Sequence, residues 1–155
     1  MKLLIFSDSH GNVANMADMV RLERPDRILH LGDLVRDAQT LQEKFPDIPI
    51  SFVPGNCDGR RPDLPEERVF TLEGCRLLMT HGHTYHVKLG PAAAVRAARE
   101  AGAHLLLYGH THEAACEFQH GMWVVNPGSI GSLARPTYAV AVLEAGGAVC
   151  YISTT

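Results

Sequence analysis

Five short polar clusters carry the residue types that bind metal ions or move protons: Asp8-Ser9-His10, Gly32-Asp33, Gly55-Asn56, His81-Gly82-His83 and Gly109-His110-Thr111-His112. Of the nine histidines, four fall in the last two clusters. Imidazole nitrogens beside carboxylate and amide oxygens make a mixed donor set, suited to Mn, Fe, Co or Zn. Asp8 and His10 are two apart, so on extended backbone they point the same way. His110 and His112 could likewise aim at one site, or serve two neighbouring metals if the chain turns sharply after Gly109. Each cluster also has an ordinary explanation. Asp8 or Asn12 suits an Asx turn capping the next helix, Asp33 suits a helix N-cap, and Asn56 suits a left-handed turn position. Those explanations leave their common setting unaccounted for: every cluster directly follows an apolar run.

Those runs predict the elements that position the clusters. Residues 2–6, 27–31, 50–53, 75–79 and 105–108 read as strands, several of them apolar enough to be buried on both faces. Their C-terminal ends are where an α/β sheet opens into its ligand crevice. Helical spacing marks residues 13–22 (Val13, Met16, Ala17, Val20) and 37–45 (Ala38, Leu41, Phe45), and an Ala-rich stretch with Pro at its start marks 91–103. Asp37 then reads as an N-terminal helix charge, and His30, inside its strand, as a packed residue. Residues 60–67 read as a charged, Pro-rich surface loop. Hairpins are expected at 69–72/75–79, 114–119/122–125 and 137–143/148–153. Helices alternate with strands first and hairpins follow. The expected fold is therefore α/β: one domain over residues 1–155, with two mixed β-sheets packed face to face and flanked by helices, an α-β-β-α sandwich.

Bulk properties narrow the partners. A chain of 155 residues with 46% hydrophobic and 20% charged residues can bury a substantial core. Net charge is -3, with no dense Lys/Arg run, which argues against a long nucleic acid or an anionic membrane as partner. No run approaches the roughly 20 apolar residues of a membrane span. The run Leu3-Leu4-Ile5-Phe6 is too short for a signal-peptide core, so a cytoplasmic location is expected. Cys57, Cys75, Cys116 and Cys150 form no Cys-x-x-Cys pair, which argues against a disulfide framework or a cysteine zinc site.

The ordered set D-x-H, G-D, G-N, a downstream H and G-H-x-H resembles the calcineurin-like metallophosphoesterase family over nearly the whole chain. Its short length, Gly55-Asn56-Cys57-Asp58 and late Asn126-Pro127-Gly128-Ser129 look most like the small prokaryotic phosphodiesterases, which share their fold with a retromer subunit. The resemblance implies two divalent metal ions, Mn foremost, with Fe, Zn, Co or Ni as alternatives. Asp8, His10 and His112 would hold the first, and Asn56, His81 and His110 the second. Asp33 would bridge both. It implies hydrolysis of a small phosphodiester through direct attack by a hydroxide shared between the metals. Asp33, Asn56 and His81 thereby also enter the catalytic set. Cys57 departs from the family, which usually has a histidine there beside the leaving oxygen. His83 would stand near the leaving group or serve as an outer residue. Arg135 would approach the phosphate or lie on the surface. A phosphomonoesterase or nucleotide phosphohydrolase, a nucleic-acid processing enzyme and a protein-interaction scaffold of the retromer-subunit type are the competing readings. A homo-oligomer is left open.

Overall fold

The structure, a computed structural model, describes residues 1–155. The first half alternates strands β1 (Lys2–Phe6), β2 (Arg27–His30) and β3 (Ile50–Phe52) with helices α1 (Val13–Glu23) and α2 (Val35–Lys44). Strands β4 (Glu67–Leu72), β5 (Cys75–Thr80) and β6 (Leu105–Leu107) follow, with α3 (Ala92–Glu100) between the last two. Strands β7 (Ala115–Gln119), β8 (Met122–Asn126), β9 (Thr137–Glu144) and β10 (Gly147–Thr154) complete the chain. One five-stranded sheet runs β10-β9-β1-β2-β3 and the other β4-β5-β6-β8-β7. Each has three parallel neighbours, β1-β2-β3 and β5-β6-β8, while β9, β10, β4 and β7 pair antiparallel. The expected pair of mixed sheets flanked by helices is the observed architecture.

Side-chain alternation explains why the central strands are apolar throughout. Leu3 and Ile5 of β1 join Leu29, Leu77, Met79, Leu105 and Leu107 in the layer between the sheets. Leu4 and Phe6 point the other way, onto Met16, Val20 and Leu41 of α1 and α2. Leu78 and Leu106 likewise face outward onto Ala94 and Ala98 of α3. A strand covered on both sides needs apolar residues at every position, whereas the edge strand β4 alternates between exposed and half-buried residues. No helix is long and apolar enough to cross a membrane.

Two local expectations change. Helix α2 starts at Val35, and its N-cap is Leu34 without a side-chain cap bond, so Asp33 is not a capping residue. Asp37 does lie in the first turn of α2, and it is buried there; its carboxylate accepts from Ser9 Oγ and Gly11 N, both at 2.7 Å. Short 3₁₀ turns form at Asn56–Asp58, His83–Tyr85 and Val87–Leu89, where local spacing carries no periodic signal.

The layer between the sheets should be the main store of stability. Leu107→Ala removes a fully buried side chain there and is expected to cost about 2–5 kcal/mol in urea unfolding. Leu133→Ala, at a fully exposed position, should stay within about 0.5 kcal/mol of wild type.

Candidate metal centre

The five clusters meet at one end of the sandwich, each leaving the C-terminal end of β1, β2, β3, β5 or β6. Asp8, His10, Asp33, His110 and His112 all have left-handed backbones, with φ of +54°, +44°, +53°, +72° and +63°. The Asp8–His10 segment is therefore not extended, and its two side chains converge because the chain coils beneath them. Backbone bonds from Asp8 N to Gly32 O (2.9 Å) and from His10 N to Asp33 O (3.1 Å) hold that coil against the loop after β2. A left-handed non-glycine residue costs on the order of 1–3 kcal/mol and persists only where its surroundings over-determine it. Two glycines let these loops close. A Cβ on Gly55 would run into the Asp33 carboxylate, and one on Gly109 into Ser7 Oγ and the Asp8 carboxylate.

All seven candidate ligands come together. Asp8 Oδ1 lies 3.1 Å from His112 Nε2, 3.7 Å from His10 Nε2 and 3.8 Å from His81 Nε2. Asp33 Oδ2 lies 3.5 Å from His81 Nε2 and 3.9 Å from His10 Nε2. Asn56 Oδ1 is 3.1 Å from His81 Nε2, and the His110 ring centroid is 5.1 Å from that of His81. The ligand atoms of Asp8, His10 and His112 all lie within 4.8 Å of one another, as do those of Asp8, Asp33 and His81. Asp33 stands between the two histidine groups.

The donors fit a metal on their own chemistry. His81 Nδ1 is 2.7 Å from the Leu31 carbonyl and donates its proton there. A neutral His81 then turns the Nε2 lone pair toward Asn56 Oδ1 and two carboxylates, all acceptors. The arrangement is stable only with a proton or a cation among them. Burial opposes a charged His81, but Asp33, Asp8 and the Leu31 carbonyl raise its pKa above the ordinary value. Burial likewise opposes ionisation of Asp33, yet His81 and donors from Cys57 hold its carboxyl well below the usual range. Mixed oxygen and imidazole donors suit first-row divalent ions.

Beneath these groups is a set of clamps that motif reading missed. Asp58 accepts from Asp33 N (3.0 Å), Val35 N (2.7 Å) and Gly55 N (2.8 Å), binding the loops after β2 and β3 together. Asn126 donates to Gly109 O (3.2 Å) and Thr111 Oγ1 (2.9 Å), and Ser129 Oγ donates to Asp8 O (2.8 Å). Gly32 N donates to His30 Nδ1 (3.1 Å), so His30 Nε2 carries the proton given to Ser9 Oγ (2.9 Å), which donates on to Asp37. His30 is thus packed, with neither ring nitrogen free for a metal. Asp58 and Asn126 stood in turn clusters that could have flagged them; Asp37 and His30 offered no such signal.

Cys57, His83 and Arg135 separate. Cys57 N donates to Asp33 Oδ1 at 2.9 Å, and its exposed thiol faces the cluster, with Asp33 and burial raising its pKa. His83 stacks its ring centroid 5.4 Å from His81 and 6.2 Å from His110. Its Nδ1 is buried without a partner, and burial and His81 lower its pKa. Arg135 is exposed, and its guanidinium makes no hydrogen bond or ion pair; only its backbone N is tied, to Ser132 Oγ at 3.1 Å. The loop 60–67 does more than cover surface. Arg60 and Arg61 wall a cavity of about 450 Å³ beside Asn56 and His83.

Residues 1–146 match the calcineurin-like phosphoesterase superfamily domain. The chain belongs to that superfamily. It is 33% identical over 151 residues to the probable metallophosphoesterase YsnB of Bacillus subtilis, covering 93% of this chain and 85% of the relative. It is 26% identical over 147 residues to the phosphodiesterase MJ0936 of Methanocaldococcus jannaschii, covering 83% of each. The fold matches Entamoeba histolytica Vps29 in complex with Zn²⁺ at a TM-score of 0.77, with 18% identity and 99% of both chains covered.

The His30 network makes stability pH-dependent. Burial pushes the His30 imidazole down from 6.5 to about 4. Above pH 6.5 both folded and unfolded chains hold it neutral, and its contribution is complete. Below that, the unfolded chain takes up a proton that the folded one refuses, so stability falls with pH, by roughly 2 kcal/mol between pH 7 and 5. His30→Gln keeps donor and acceptor without titrating. Its urea midpoint, measured in metal-free protein, should decline less over that interval; identical declines would show His30 is not responsible.

Proposed function

We propose that this protein is a metal-dependent phosphodiesterase that hydrolyses small phosphodiesters at the strand-end cluster. The convergence of seven metal-type donors on one pocket, with Asp33 between two sets, carries the reading. The phosphodiesterase relative from M. jannaschii supports the reaction class. Asp8, His10 and His112 would hold one divalent ion, and Asn56, His81 and His110 a second, with Asp33 available to both. Two such ions supply charge neutralisation for an anionic diester and a water acidic enough to attack at neutral pH. Manganese is the first candidate; iron, zinc, cobalt and nickel suit the same donors.

The remaining work belongs to the chain. The clamps from Asp58, Asn126 and Ser129 keep the donors spaced before substrate arrives, which lowers reorganisation during reaction. We assign to His83, whose ring packs beside those of His81 and His110, an outer position in the site rather than a metal-holding one. The Cys57 thiol, held protonated beside Asp33, is a weak replacement for an imidazole. Vps29 supplies the second reading: the same fold in a chain named for protein sorting, which would make this one an interaction scaffold. The complete donor set favours the enzyme.

Asp33→Asn should lose both ions and essentially all hydrolysis of bis(p-nitrophenyl) phosphate, because one carboxylate serves both sets. Elemental analysis showing two tightly held metals in an active variant would defeat the assignment.

Cys57 sets the substrate preference. A positioned general acid contributes typically 10²–10⁴-fold, mostly when the leaving oxygen is basic. Wild type should therefore prefer aryl diesters to alkyl monoesters, and Cys57→His should narrow that preference by raising alkyl monoester turnover. Measuring kcat/KM for both substrates alongside metal content tests this. An unchanged ratio in a fully loaded variant, with its imidazole seen beside the phosphate, would overturn it.

A further inference from the structure

The two flanks of the metal centre differ in chemistry. On the Asn56 side lies the polar cavity walled by Arg60 and Arg61. On the His112 side a larger groove of about 830 Å³ opens. It falls within the roughly 300–1,000 Å³ typical of small-molecule sites. The groove follows the seam where the two sheets meet at their edge strands, β10 and β7. Its mouth, next to His112, carries Ser132, Arg135 and Thr137, and its interior carries Cys116, Trp123 and Ile152. Trp123, the only tryptophan, donates Nε1 to Ala148 O at 2.9 Å and so ties β8 to β10 across the seam. The Phe118 ring packs edge-on against it at 5.1 Å.

Register explains the gradient from polar to apolar. Thr154 pairs with Thr137 at the metal end of β10, while Ile152 and Cys150 lie further along, opposite Ala139 and Ala141. Across the seam, Ala115 pairs with Asn126, the clamp of the histidine loop, and Cys116 comes one residue deeper. A ligand anchored at the metal centre would therefore meet Arg135 and Glu113 at the mouth and an apolar, aromatic wall beyond them. Arg135 makes no ion pair, with Glu113 or any other carboxylate, and is free to face an anion there.

We propose that this groove is the subsite for the ester arm that stays on phosphorus, and that the arm it takes is a flat aromatic ring, aryl or nucleobase. The proposal rests on the phosphodiesterase reading and names its substrate class: diesters whose retained arm is aromatic and lies along the β10–β7 seam. Continuity decides the occupant, because His112 is both a metal donor and a wall of the groove. Any diester held at the metals thus has an arm within reach of the mouth. An aromatic ring suits the interior because ring-to-ring contact with Trp123 adds to simple burial, and a guanidinium at the mouth balances the phosphate charge.

Two readouts on the intact, Mn-loaded protein test it. In the first, three diesters release the same p-nitrophenolate but keep a methyl, phenyl or thymidine 5′ arm. The phenyl or thymidine compound should exceed the methyl one by about tenfold or more in kcat/KM, and which of them leads tells aryl from nucleobase. Ile152→Asp should erase that advantage while methyl diester turnover persists. In the second, diphenyl phosphate should change the fluorescence of Trp123 saturably and dimethyl phosphate should not. This readout needs no turnover and remains decisive if Ile152→Asp fails to fold. Equal kcat/KM for all three arms, with no fluorescence response to diphenyl phosphate, overturns the groove but leaves the phosphodiesterase reading standing. A saturable fluorescence response in a protein that hydrolyses none of the three supports the groove and defeats the phosphodiesterase reading instead.

Discussion

Two carboxylates, Asp8 and Asp33, are buried within reach of the same histidine, and their only ion-pair partners are imidazoles. No lysine or arginine offsets them. Buried carboxylates without a partner are costly, so the end of the sandwich is organised around compensating these two groups. Part of the compensation is built in. Ser7 Oγ and His110 N donate to Asp8 Oδ2, and Cys57 N donates to Asp33 Oδ1. The rest is a positive charge supplied by His81 when protonated, or by bound ions. This one constraint accounts for the left-handed residues, the glycines that let backbone approach the carboxylates, and the polar clamps below.

What the sequence disclosed follows from which interactions are local. Strands buried on both faces must be apolar at every position, so β1, β2 and β6 stood out, and each donor cluster was found by where its strand stopped. Helices α1 and α2 declared themselves by the spacing of Met16, Ala17, Val20, Ala38 and Leu41. The roles that went unseen belong to residues that act across long separations. Ser129 Oγ reaches Asp8 O across 121 positions, and Asp58 reaches the β2 loop across 25. Asp37 was placed correctly in the first turn of α2, but its burial went unread for the same reason, since its partners Ser9 and Gly11 lie on another loop. The Asp8–His10 backbone was misjudged because its conformation is set by bonds to Gly32 and Asp33, which no dipeptide preference contains.

The fold alone does not separate enzyme from scaffold, because the sandwich depends on the apolar layers and would stand without the donors. Function resides in the grafted set. What distinguishes this chain is that the donors and their clamps form one connected unit. Asp58 holds the backbone of Asp33 and Gly55, while Asn126 holds the loop of His110 and His112. A chain serving only as a scaffold has no need to keep five left-handed donor residues against their conformational cost.

The position after Asn56 shows how such a site can change its chemistry without losing its architecture. Cys57 contributes to the metal centre through its backbone N–H, which bonds Asp33 Oδ1 whatever side chain follows. Its side chain is therefore free to vary, and here it presents a thiol to the cluster. The adjacent imidazole, His83, comes from a different loop and packs against His81 and His110 rather than against Asp33. The side chain at position 57 and the bond that steadies Asp33 are thus separate atoms, so a substitution there changes the group that faces the cluster while the donor set keeps its architecture.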